Sequence, residues 1–136
     1  MSLRHNLARI SVHRSTIDID VIIGNGTVSL ELIEKHPNLE YIFTPVGGGG
    51  LIAGTALSAH YFGNNCNVVG GEPFEVDDAY RSLKSGKIET NLTANTIADG
   101  LKTQLGKINF PIIQKYVNSI IRVTEDDIID AMRMVW

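Results

Sequence analysis

Tyr41-Ile42-Phe43-Thr44-Pro45-Val46-Gly47-Gly48-Gly49-Gly50-Leu51 decides the fold. The first six residues read as a strand apolar on both faces, as a strand buried in a parallel sheet must be. From about Leu51 to Phe62 the apolar residues recur at helical spacing. Four consecutive glycines join strand to helix, and each loses more backbone entropy on folding than any other residue would. Something must therefore approach that backbone closely. Without Cβ atoms the N–H groups can converge on an anion, and the following helix adds unsatisfied donors and the positive end of its dipole. A flexible turn needs one or two glycines, whereas a run between a strand's C-terminal end and a helix N-terminus lies where open α/β sheets bind ligands. The stretch reads as a phosphate-cradling loop. It is not a Walker motif, since no Lys-Ser or Lys-Thr follows, nor the spaced dinucleotide fingerprint.

Working outward, Asp20-Val21-Ile22-Ile23 reads as a short strand stopped by Gly24-Asn25-Gly26, with a helix from Thr27 to Lys35 that Pro37-Asn38 breaks. Downstream, Asn67-Val68-Val69-Gly70-Gly71 is the next strand. A helix is expected from Val76 to Leu83, ended by Ser85-Gly86, and then a polar connection from Ile88 to Ala98. Pro111 suits the first turn of a helix reaching Val117, and Ile120-Ile121-Arg122-Val123 is another strand. Thr124 caps a last helix whose opening Glu125-Asp126-Asp127 complements the dipole. Strands alternating with helices imply an α/β fold, an open, mostly parallel twisted sheet, doubly wound, with helices on both faces. Ala131 to Trp136 continue a helical pattern with no stop signal, so the expectation is a chain truncated inside its last helix.

The 136 residues, 43% of them hydrophobic, suffice for one core. With 20% charged residues and a net charge of -3, neither a nucleic-acid footprint nor a membrane-surface basic patch is present, so a small soluble substrate is expected. The N-terminus lacks the apolar core of a signal peptide, and no run of apolar residues is long enough to span a membrane, so a cytoplasmic location is expected. Cys66 stands alone in a polar turn and reads as incidental. His13, His36 and His60 lack partners at metal-ligand spacing, and His36 and His60 sit near helix C-terminal ends, where positive charge is favoured.

The segment Gly71-Glu72-Pro73-Phe74-Glu75-Val76-Asp77-Asp78 carries four carboxylates. Glu72 and Asp78, with a backbone carbonyl between them, could give the oxygen ligands a hard divalent cation prefers. Spacing alone favours helix capping by Asp77 and Asp78, with Glu75 in solvent. Asp99-Gly100 is either a tight turn or a ligand-facing one. Gly54 is expected to permit close packing of its helix on the sheet.

Gly24-Asn25-Gly26-Thr27, Pro45-Val46 with the glycine run and Leu51, Glu72-Pro73 with Asp77-Asp78, Thr96-Ile97-Ala98-Asp99-Gly100 and Val123-Thr124-Glu125-Asp126 together resemble the serine/threonine dehydratase and serine racemase family. These are pyridoxal-phosphate enzymes of the tryptophan-synthase β-like fold. The resemblance runs from about His13 to Trp136, as a partial cofactor-binding large domain, and leaves residues 1–12 unassigned. It implies that Gly47, Gly48, Gly49, Gly50 and Leu51 hold the cofactor phosphate and that Gly100 lies near the cofactor ring. It also implies that Glu72, Asp78 and the carbonyl of Val76 form a magnesium or calcium site, which reverses the preference from spacing. Asn25 stands where many relatives have glutamine.

The family's Schiff-base lysine lies in a Ser-Phe-Lys-x-Arg-Gly-like stretch, and none occurs here. Lys35, Lys84, Lys87, Lys102, Lys107 and Lys115 all read as surface positions. By the resemblance, the smaller domain that binds the substrate carboxylate is also expected to lie outside these residues, and no catalytic residue is expected in this chain. The resemblance implies a dehydratase or racemase acting on serine or threonine, a homodimer, of which this chain is an inactive part. A non-catalytic phosphate- or cofactor-binding module, or another lyase or synthase of the same fold, are the alternatives.

Overall fold

A computed structural model describes residues 18–136; the segment 1–12 and His13 lie outside the described residues. Asp18 is extended, and its carboxylate accepts the Asp20 N–H at 3.1 Å, capping helix α1, Ile19–Lys35. This single helix replaces the expected strand Asp20–Ile23, the turn Gly24–Gly26 and the shorter helix after it. The spacing explains it: Ile22, Gly26, Ser29 and Ile33 recur every three or four positions and all are buried.

Gly26 does not break the helix because a neighbour crosses there. Helix α2, Gly50–Phe62, lies so close that a Cβ on its Gly54 would run into the Ile22 carbonyl oxygen and stand 2.6 Å from the Gly26 nitrogen. The Ser58 hydroxyl donates to the Gly26 carbonyl at 2.7 Å across the same crossing. Gly54 thus serves a helix-on-helix contact and not the helix-on-sheet contact expected of it.

Three strands, β1 (Tyr41–Pro45), β2 (Asn67–Pro73) and β3 (Ser119–Val123), pair in parallel in the order β1-β2-β3. Tyr41 stands opposite Asn67, and Val69 opposite Ser119. An order that advances in one direction through right-handed crossovers puts the connecting helices on one face. These are α2, α3 (Asp78–Ser85) and α4 (Asn109–Tyr116), with α1 outside α2. Ile42, Val46, Ile52, Val68, Ile113 and Ile120 form the core.

On the other face, Tyr41, Phe43 and Ile121 are exposed among the described residues, Phe43 by 67%. Helix α5 (Glu125–Val135) reaches this side: its Ile128, with Phe43, Pro45, Leu101 and Val123, lines a cavity of about 370 Å³. The fold is α/β with a parallel sheet, as the alternation of elements predicts. The other expected strands are recovered to within two residues at their ends. The helix expected from Val76 to Leu83 divides into a 3-10 turn, Phe74–Val76, and α3, which Gly86 stops at φ 75°. Thr124 caps α5 as expected, in a reciprocal box with Asp127.

Candidate functional site

Gly49 is the N-cap of α2 and takes the left-handed conformation, φ 86°, with Gly48 and Gly50 buried on either side of it. The left-handed backbone at Gly49 and close neighbours at Gly47 and Gly49 disfavour side chains here. A Cβ on Gly49 would stand 2.7 Å from Leu105 and 2.8 Å from Ile113, and one on Gly47 would stand 3.1 Å from the carbonyl oxygen of Gly100. The loop's carbonyls are bonded within the protein. That of Gly48 accepts the Gly106 N–H at 3.0 Å and the Asn109 side-chain amide, and that of Gly49 accepts the Ala53 N–H at 3.0 Å.

The loop's donors are not so engaged. Among the described residues no acceptor meets the N–H groups of Gly47, Gly48, Gly49 or Gly50, and Leu51 follows in the first turn, where helical N–H groups lack intrahelical partners. Buried main-chain donors are almost always paired, so a cluster of donors at the positive end of a helix could meet an anion. The residues present fit a phosphate group. Gly100 lies in a 3-10 turn, Asp99–Leu101, placed against Gly47. Leu105 and Asn109, which back the loop, carry no local signal by which the sequence could have revealed them.

The acidic segment has a different geometry from simple capping. Glu72, wholly buried at the end of β2, accepts the N–H groups of Ala79 at 3.2 Å and Tyr80 at 2.8 Å, so it caps α3 from the neighbouring strand. Burial pushes its carboxyl up to about 8, and the adjacent Asp78 adds to the rise while the two N–H groups oppose it. Burial likewise raises the carboxyl of Asp78. Its Oδ2 accepts the Leu105 N–H at 2.6 Å, whereas its Oδ1 makes no hydrogen bond among the described residues. Leu105 is also the residue pressed against Gly49, so one segment joins the acidic cluster to the glycine loop.

Asp77 makes no cap. It pairs with Arg81 at 2.7 Å and Arg122 at 3.0 Å, and the Arg122 guanidinium lies over the rings of Phe74 and Tyr80. Burial works against the charge on Asp77, but the two arginines outweigh it and hold the carboxyl below its usual range. Among the described residues no three His, Cys, Asp or Glu side chains gather to hold a metal ion. A cation at Glu72 and Asp78 would need a main-chain oxygen as its third protein ligand. Val76, whose carbonyl the resemblance offers, is fully buried between them in sequence. All six lysines are exposed.

A glycine loop whose donors meet no acceptor among the described residues, at the C-terminal end of a parallel strand, is where an α/β domain could receive an anion, and the chain's affiliation is specific. The chain belongs to the pyridoxal-phosphate-dependent enzymes, whose family model, described as "Pyridoxal-phosphate dependent enzyme", matches residues 4–136. It is 50% identical over 121 residues to a serine racemase of Dictyostelium discoideum, covering 88% of this chain and 37% of that protein. The crystal structure of the Dictyostelium serine racemase superposes with a TM-score of 0.82, covering 88% of this chain and 38% of that one. The structure of a processed threonine deaminase isoform 2 from Solanum lycopersicum gives a TM-score of 0.83 at 32% identity, covering 87% of this chain and 33% of that one. A β-hydroxyaspartate dehydratase of Paracoccus denitrificans is 37% identical, covering 88% of this chain and 38% of that protein. The chain thus spans well under half the length of these relatives. Among the described residues no helix is long and apolar enough to cross a membrane.

Proposed function

We propose that residues 13–136 supply the cofactor-phosphate cup of a pyridoxal-phosphate-dependent serine or threonine dehydratase, or of a serine racemase. In this reading Gly47, Gly48, Gly49, Gly50 and Leu51 hold the phosphate through backbone N–H groups, and the turn bearing Gly100 walls the ring. The observation that carries it is the set of N–H groups that meet no acceptor among the described residues, in a buried loop that opens a helix. Pyridoxal phosphate, when bound, supplies an electron sink for charge developing at the α-carbon of an amino acid. The chain's own share is to bind and orient. With all six lysines exposed, none is buried beside the loop to take the Schiff-base role, and the chain alone is read as inactive. A cytoplasmic homodimer acting on a small amino-acid substrate goes with this reading.

Titration of the chain with inorganic phosphate and with pyridoxal phosphate tests the cup. Gly49→Ala should weaken both by at least about tenfold, because a Cβ at φ 86° is strained and collides with Leu105 and Ile113. Equal affinity in the variant would remove the cup from the account. Turnover of L-serine or L-threonine by the chain with added cofactor would remove the claim of inactivity.

Glu72, Asp78 and the Val76 carbonyl are proposed to hold magnesium or calcium. Support comes from the buried Oδ1 of Asp78, which makes no hydrogen bond within geometric limits among the described residues, and the hard-oxygen character of the set. Either ion should raise the thermal midpoint of the wild-type chain and leave that of Asp78→Asn unmoved. An equal response in both would exclude this site.

A further inference from the structure

Glu125, the first residue of α5, reaches across 28 residues of sequence: its Oε2 accepts the Ile97 backbone N–H at 2.9 Å. That bond and the neighbouring Thr96 hydroxyl hold the Glu125 carboxyl below its usual range. Upstream, the long connection is pinned by Asn91, whose side chain accepts the Asp78 N–H, and by Thr93, whose hydroxyl donates to the Glu75 carbonyl at 2.8 Å. From Ala94 to Gly100 the remaining hydrogen bonds are local. Thr96 N–H reaches Ala94, Ala98 N–H reaches the Thr96 hydroxyl, and Asp99 N–H reaches Ile97 at 2.8 Å. Among the described residues, Glu125 alone hydrogen-bonds this stretch to another element. Just beyond it comes the Asp99–Leu101 turn, whose Gly100 carbonyl abuts Gly47.

We propose that Glu125 is a positioning residue, whose carboxylate sets the stand-off of the Asp99–Leu101 turn from the glycine loop and so the width of the slot open to a planar ring above the phosphate cup. This rests on the cofactor reading given above. A simpler role is open to any acid in a first turn, namely to complement the helix dipole. The two roles make opposite demands. Tethering needs an acceptor at the full reach of glutamate, with or without charge, whereas the dipole needs the charge and not the reach.

Three variants separate them, Glu125→Asp, Glu125→Gln and Glu125→Ala, each compared with the wild-type chain by residue-resolved amide exchange and by titration with pyridoxal phosphate and inorganic phosphate. With tethering, E125D and E125A speed exchange at Ile97 and Leu101 at least tenfold. Both weaken pyridoxal phosphate about tenfold and leave inorganic phosphate unchanged, while E125Q stays close to wild type. The reverse order, E125D like wild type and E125Q like E125A, overturns the proposal, as does unchanged protection at Ile97 or unchanged pyridoxal-phosphate affinity in E125D. Should E125A fail to fold, E125D, which keeps the charge, carries the comparison. A wild-type chain that binds neither probe overturns the cup reading, and the exchange measurements then judge the tether by themselves.

Discussion

Replacing Gly54 by alanine is expected to destabilise the chain by about 3 kcal/mol or more, a large share of the 5–15 kcal/mol typical of a domain. The added methyl group meets main chain on all sides: the Ile22 carbonyl, the Gly26 nitrogen and the Asn25 carbonyl carbon. No rotamer change relieves such an overlap. Helix α1 must move outward, which stretches the 2.7 Å bond from Ser58 to Gly26 and opens Ile22 and Ile33, both now buried. Gly24→Ala supplies the contrast, for a Cβ there has nothing within 4 Å. In mid-helix that change should stabilise by roughly 0.5–1 kcal/mol. Urea unfolding midpoints of the two variants should shift in opposite directions. A loss of stability in Gly24→Ala would argue that residues 19–35 are not one helix.

In chelator-containing buffer, stability should fall as pH rises from about 4.5 toward 8, opposite to the trend most acidic residues impose. The sign follows from Glu72, whose carboxyl sits at about 8 in the folded chain against an ordinary value of 4.5. A raised carboxyl keeps its proton longer in the folded state than in the unfolded one, so its contribution is complete below the unfolded value and is lost as pH climbs through the folded value. The full swing is on the order of 5 kcal/mol for a shift of this size. Asp78, also raised by burial, acts in the same direction. Asp77 acts oppositely, since its lowered carboxyl contributes above its unfolded value and loses that contribution as pH falls through the folded one. Stability is therefore expected to peak in mildly acidic buffer. Denaturation midpoints at pH 5 and pH 8, for wild type and Glu72→Gln, check this. A wild-type midpoint no lower at pH 8, or a Gln variant with an undiminished slope, would refute it.

Much of the architecture was readable in short stretches. The strands announced themselves because residues buried between neighbours must be apolar in runs, and the glycine loop because four such residues have no cheap local explanation. Helix α1 was misread for the same kind of reason. Gly24-Asn25-Gly26 has the composition of a turn, and what makes Gly26 suit a helix is the passage of Gly54, which local sequence does not contain. The acidic segment was legible as a cluster but not in its roles. The capping carboxylate proved to be Glu72 on the strand, while Asp77 was claimed by Arg122 from another strand. Leu105, Asn109 and Glu125 were invisible as site-forming residues because each acts on a partner far along the chain.

The crossing of α1 and α2 also bears on how sequences of this fold can drift. A Cβ on Gly70 would crowd Val46, Ile52 and Ile120, all of them side chains. A larger residue there could be accommodated by trimming a neighbour, so position 70 can co-vary with its surroundings. Gly54 has no such escape, because every atom in its way is main chain and no substitution at Ile22, Asn25 or Gly26 removes it. Second-site suppressors of a Gly54 lesion should therefore be absent from the residues that touch it, and arise, if anywhere, where they let the whole of α1 shift.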